Sequence, residues 1–513
     1  MFFRRYSPSK KRSQSLVPVS FHELLQKVKD WTAPSKDWSV TRISNVFSLF
    51  YYSYLVDSEQ LQQSIIKQLQ AIEGNYQAAE DLLQVIPLDE IVLTEDFPKV
   101  MKHLIQGWVF IHVDGLSKGL LCNITKSEKR NLTKPEIESQ IYGPQIAFVE
   151  SLQTNMAIIR KYVPHTKLVV EEFEVGRRTL TSISVLYIQD IADPQNIQET
   201  KSRLEQIDIE YILDSTMLSQ LISDQESSLF PEMLLTERPD RTVAGMMDGK
   251  IAILVSGSPF AILCPCSLVD FFKSTEDLYF RWSAATFLRL LRITAVIVSV
   301  LLTPSYVAAL TFHYQLIPST MLVSLAQSRS RVPFPPLMEA FILEFMIELL
   351  REAGARLPTK VGQTMSIVGG IVIGQAAVQA GFTSNILIII VALGALASFT
   401  TPSYMIGNAI RILRFPMILL AGMLGGVGIM LGICFTLIHL LRLTSLGHSY
   451  LYPLYPPVLR KIPNSVVRAP FKSLFRRSVS TADKNQSGSN HLPHPPKTPD
   501  IFEEPVGGQH ESS

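Results

Sequence analysis

Three glutamates in an otherwise apolar stretch, Glu339, Glu344 and Glu348 within residues 334–350, carry the most physical tension in this sequence. On a helix, Glu344 and Glu348 are i,i+4 and share a face, and Glu352 continues the stripe. Glu339 lies about 140° round from Glu344 at ~100° per residue. A carboxylate at bilayer depth costs ~2.5–3.5 kcal/mol on insertion scales unless it meets water or a partner. Such residues line an ion path or pair across subunits. Otherwise they pair with Arg351 and Arg356 at a membrane surface, on a helix that does not span. Both readings stand. Gln375 and Gln379, again i,i+4, make a polar stripe on a pore or a hydrogen-bonded helix contact. Gly369, Gly370, Gly374 and Gly381 line one apolar segment, and Gly425 and Gly426 lie in another. Small residues let helix backbones approach closely in lipid, so these are packing faces, within one subunit or between copies.

Other chemistry is absent from the pattern. No phosphate-cradling glycine loop precedes Lys-Ser/Thr, no His/Glu pair has zinc spacing, and Val255-Ser-Gly-Ser-Pro259 lacks the flanking glycines of a nucleophile elbow. The expectation is a protein without enzymatic activity, cofactor or metal. Cys122, Cys264, Cys266 and Cys434 are too few and scattered for a disulfide framework and read as buried free thiols. His313 and His439, inside apolar runs, read as hydrogen-bonded helix histidines.

The elements that must position these residues follow from charge. The 513-residue chain is 18% charged, against ~25% in soluble domains. From Ala284 to Tyr450 only 14 of 167 residues are charged. Uncharged runs of 36, 50 and 27 residues begin after Arg292, Lys360 and Arg414. At ~20 residues per crossing, with residues 334–350 spanning, dipping in or lying at the surface, four to six spans result. Pro304 and Pro318 make the first run one kinked helix or a tight hairpin. Before the apolar part, Trp108–Val113 and Ser184–Ile188 read as strands. Asp193-Pro194 opens a helix carrying a Glu199/Arg203 pair. Ile207–Leu213 reads as a further strand, which predicts a βαβ unit over 182–213. Asp214-Ser215 caps a second helix, and 250–263 reads as a hairpin. The predicted fold class is a cytoplasmic α/β N-terminal part of two sub-units, a polytopic α-helical membrane domain, and a disordered C-terminal tail. The boundaries are 1–35 (a basic flexible arm), 36–135, 136–280, 281–445 (membrane) and 446–513 (a basic, then disordered tail). Residues 451–480 hold six basic residues and no acid, so the positive-inside rule puts the tail in the cytoplasm. The N-terminal part shows no export signal and is expected there too. A net charge of +2 says nothing about nucleic acid, and no basic domain with interleaved aromatics appears, so no nucleic-acid partner is expected.

At Arg351-Glu-Ala-Gly-Ala-Arg-Leu-Pro358, Val361-Gly-Gln363, Ser366-Ile-Val-Gly369 and Ile373-Gly-Gln-Ala-Ala377 the sequence resembles the A subunit of GerA-type spore germination receptors. Pro333-Phe-Pro-Pro336 with Glu339, Ala397-Ser-Phe399, Pro402, Thr236-Glu-Arg-Pro-Asp-Arg241 and Gly257-Ser-Pro-Phe260 are similar to the same pattern. Gln145, Ile146, Thr216 and Met217 depart from it. The resemblance implies a receptor subunit of the spore inner membrane. It implies a transporter-like B subunit that holds the nutrient pocket, and a lipoprotein C subunit, as partners. A homo-oligomer that conducts ions when the nutrient binds is implied as well. A non-conducting relay scaffold and a secondary transporter are the alternatives, and no internal repeat supports the latter.

Overall fold

The computed structural model describes residues 16–71, 79–126, 134–356, 374–458, 467, 468 and 470. Runs of β-branched and aromatic residues build two five-stranded antiparallel sheets. The first comprises β1 (Trp38–Arg42), β2 (Phe47–Tyr52), β3 (Ile91–Thr94), β4 (Trp108–Val113) and β5 (Gly119–Asn123), in the order β1-β2-β4-β5-β3. Side chains alternate across it: Phe50, Phe110 and Leu121 face one core, and Leu49, Ile111 and Leu120 the other. Helix α1 (Phe21–Trp31) covers the first of these cores through Leu24 and Val28, one turn apart. Residues 16–35 are therefore an integral part of this unit rather than a flexible arm. The remainder of the expected arm, 1–15, lies outside the described residues.

The second sheet is β6 (Leu168–Val175), β7 (Thr181–Ile188), β8 (Leu234–Thr236), β9 (Ile251–Val255) and β10 (Ala261–Cys264), in the order β6-β7-β9-β10-β8. Helices α2 (Leu152–Tyr162), α3 (Pro194–Gln206) and α4 (Ser215–Leu221) flank it. Asp193 caps α3 as expected, accepting from the Gln195 amide at 3.0 Å, and Arg203 pairs with Glu199 at 2.8 Å. The βαβ expectation fails. The place beside β7 is taken by β9, with Ile183 opposite Val255, so residues 207–213 are excluded from the sheet. They run instead along the β6–β7 turn, where the Ile209, Glu210 and Ile212 carbonyls accept from Arg177, Arg178 and Thr181. The 250–263 hairpin forms as read.

The two units are pinned at a seam. Arg160 of α2 donates to both carboxylate oxygens of Asp37 at 2.7 and 2.9 Å, and its guanidinium lies over the Tyr52 ring. A polar cavity of about 490 Å³ opens along this seam between Lys36 and Tyr54 on one side and Glu172 and Glu174 on the other.

The apolar half is a helical bundle of α5 (Trp282–Thr311), α6 (Pro336–Arg356), α7 (Asn385–Ser398), α8 (Tyr404–Leu424) and α9 (Gly426–Arg442). The first apolar run is not one helix: α5 continues through Pro304 to Thr311, and after a turn at Tyr314–Leu316 a second, shorter helix, Ser319–Arg329, begins behind Pro318. Phe312 and His313, just past its end, meet Gly425, so this marks the end of the bundle far from the sheets. Gly425, at φ +63°, turns α8 into α9 there, and Gly428 and Gly432 pack back on Leu420 and Met417. Helix α6 starts at the far end, with Leu337 against Gly422, and returns toward the sheets; α7 returns likewise from Ser384, which meets Tyr306. Helices α5 and α8 are long and apolar enough to cross a membrane, while α7 and α9 have 14 and 17 residues. The outer surface is apolar: Phe287, Ile297, Leu393, Met423, Met430 and Phe435 are all exposed.

Candidate functional site

Glu344 and Glu348 share a helix face by spacing, and the fold gives them different surroundings. Glu344 points into the bundle and is 3% exposed. Its carboxylate accepts from Arg414 of α8 at 2.6 Å and from the Thr303 hydroxyl of α5 at 2.9 Å. Arg414 also donates to Ser299 at 2.6 Å and to the Gly394 carbonyl of α7 at 3.3 Å. Four helices thus meet on one ion pair. At Gly394 an added Cβ would lie 3.7 Å from the Thr303 hydroxyl oxygen, an ordinary contact, so an alanine would fit beside the pair. Glu348 instead pairs with Arg351 on its own helix, and Glu352 with Arg356. Glu339 is buried at the N-terminus of α7, where a negative charge is favoured; it accepts from the Ser384 amide at 2.6 Å and the Thr383 hydroxyl at 3.1 Å. Arg329 lies 3.5 Å from its second oxygen.

The other sequence candidates separate. Gln375 and Gln379 are exposed, and at Gly374 nothing lies within 4 Å of an added Cβ among the described residues. Gly381 (φ +69°) makes a turn against the Arg331 carbonyl. Gly426 donates to His313 Nε2 at 3.1 Å, so Gly425 and Gly426 pack within this chain. Gly369 and Gly370 lie outside the described residues. Cys122, Cys264 and Cys266 are buried free thiols, whereas Cys434 is exposed on the apolar flank of α9. His439 bonds Ser228 at 3.0 Å, as a hydrogen-bonded helix histidine should.

One constellation had no signal in the spacing. After α9 the chain returns to the second sheet as a small hairpin, β11 (Thr444–Ser445) and β12 (His448–Ser449). Ser445 bonds the Cys266 amide at 3.0 Å and the Glu232 carbonyl at 2.8 Å, and His448 bonds Asn196 at 2.6 Å. Tyr450 is buried beside Phe271 and donates to the Pro231 carbonyl at 2.8 Å. Residues 446–451, expected in the tail, therefore belong to the folded body. Asp224 is the hub, accepting from Thr444, Arg203 and the Gly447 amide. Burial pushes its carboxyl up, but those three donors outweigh it and hold it below the ordinary aspartate value. A depressed carboxyl contributes stability above its unfolded value of ~3.9, and that stability is lost as pH falls through the lower folded value. Asp224→Asn should cost about 1–3 kcal/mol near neutral pH. Unfolding measured at successively lower pH should show the gap between parent and variant closing only below pH ~3.9.

The bundle, its buried charges and its return onto the α/β part stand together in one chain, and its relatives share most of that length. The family model described as Bacillus/Clostridium GerA spore germination protein matches residues 19–480. The chain belongs to the GerA family. It is 46% identical over 474 residues to spore germination protein GerQA of Bacillus cereus, covering 92% of this chain and 95% of that one. It is 45% identical to GerIA of the same organism, over 84% of this chain and 64% of that one. With spore germination protein KA of Bacillus subtilis the identity is 39%, over 87% and 83% of the two chains. The crystal structure of the N-terminal domain of the A subunit of the Bacillus megaterium spore germinant receptor GerK3 matches at 27% identity and a TM-score of 0.38, over 50% of this GerA chain and 98% of that chain.

Proposed function

We propose that this GerA-family chain is the A subunit of a nutrient-responsive germination receptor in the spore inner membrane. In this reading α5–α9 lie in the bilayer as a multi-pass domain. Both the α/β part and the hairpin after α9 face the cytoplasm. The observation that carries the topology is the packing of Ser445 and Tyr450 into the second sheet, which requires an even number of crossings between them. The apolar exterior of the bundle supports the bilayer, since exposed Phe, Leu and Met have no aqueous explanation on this scale.

Several copies assemble and conduct ions when a transporter-like B subunit binds the nutrient, with a lipoprotein C subunit completing the complex. Glu348, Gln375 and Gln379 are the polar groups with room to face an aqueous path; Glu339 and Glu344 hold the helices in place. The chain itself catalyses no reaction. A second reading, a non-conducting relay, draws on the Asp224-centred hairpin, which ties α8–α9 to the α/β part. Spores lacking this chain should fail to release ions in response to the receptor's nutrient, while germination by a nutrient-independent trigger proceeds. Normal ion release without the chain would end the proposal.

A further inference from the structure

The α6–α8 seam holds one completed ion pair and one that is not made. The two helices run antiparallel, with contacts that stay within one turn of a single register: Leu337 meets Gly422, Phe341 meets Phe415, and Glu344 meets Arg414. One turn further along α6 is Glu348, and that register puts it level with Arg411, one turn back along α8. Arg411 is 8% exposed, and its Nε and one terminal nitrogen have no acceptor among the described residues. Its guanidinium lies 5.7 Å from the Tyr404 ring centre, and the Arg351 and Glu348 charges both act on it. A buried guanidinium without an acceptor is costly, and a carboxylate brought within reach of it would relieve that cost. Glu348 spends its charge instead on Arg351, with the two side chains 37% and 24% exposed. Such half-exposed pairs on one helix are weak, and Arg351 can be hydrated if it loses its partner.

We propose that Glu348 is an exchangeable rung: it swaps from Arg351 to Arg411, closing the ladder begun by Glu344–Arg414 and drawing the α/β-proximal half of α6 onto α8. The element is bistable because a weak half-exposed pair is traded for a buried one, at the cost of desolvating Glu348. This goes beyond ion conduction and stands whether or not the bundle conducts.

The test is a distance between spin labels at Leu349→Cys and Ile412→Cys, both on exposed positions, in the full chain reconstituted in lipid nanodiscs with Cys434→Ser. Arg351→Gln, which frees Glu348, should shorten the mean distance by roughly 1–2 Å. Adding Arg411→Gln should cancel that shift. Where Arg411→Gln does not accumulate, Glu348→Gln serves in its place and should cancel the shift equally. A distance unchanged by Arg351→Gln, or a shortening that survives loss of Arg411 or Glu348, would overturn the exchange.

Discussion

Glu344→Gln will lower the amount of folded chain in the membrane fraction and destabilise what remains by about 3–5 kcal/mol. The loss is not that of one hydrogen bond. It leaves the Arg414 charge among α5, α7 and α8 facing only uncharged acceptors: the new amide oxygen, the Ser299 hydroxyl and the Gly394 carbonyl. Replacing both charges, as Glu344→Met with Arg414→Met, should recover most of the loss, because a buried ion pair exchanged for apolar side chains of similar volume is often neutral. Glu348→Gln should accumulate normally, since its present pair is half exposed. Thermal unfolding in detergent and quantification of membrane-inserted chain give the comparison. Normal accumulation of Glu344→Gln would mean that the ion pair does not hold the helices.

The second large effect lies at the seam of the α/β units. Asp37→Asn removes the charge that Arg160 faces in a site where the two side chains are 0% and 1% exposed. The Ser35 hydroxyl and the His165 and Leu168 carbonyls still accept from the guanidinium, but none carries a charge. A loss of about 3–5 kcal/mol is expected, since one partner of a buried pair is left behind. For a unit of this size that is a fall of roughly 10 °C or more in the α/β unfolding transition. Calorimetry of the full chain would resolve it. A shift under ~2 °C would show that the uncharged acceptors suffice.

Local pattern and long-range partnership were legible to different degrees. Strands Trp108–Val113 and Ile251–Val255 stand where their apolar runs put them, because a sheet buried on both faces needs such runs. Helix α1 was hidden by the basic residues around it, although Leu24 and Val28 carry the helical spacing. Ile207–Leu213 alternates like a strand, yet alternation along one segment does not say which segment pairs with β7, and β9 holds that place. The glutamates show the same limit at the candidate site. Spacing along α6 finds Arg351 and Arg356 as partners of Glu348 and Glu352, which the fold realises. It cannot find Arg414, 70 positions away, which is what makes a carboxylate at that depth tolerable. The return of Thr444–Leu451 onto the sheet is likewise a tertiary fact, obscured by a segment whose following residues read as a basic tail.

Ion conduction through the membrane bundle is the central element of the proposed function. Single-channel recording of the reconstituted receptor complex, with and without its nutrient, measures this most directly. Nutrient-dependent cation current that Glu348→Gln reduces, at equal amounts of complex in the bilayer, is the predicted result. A complex that binds nutrient and carries no current, with either Glu348 or Gln at that position, would contradict it.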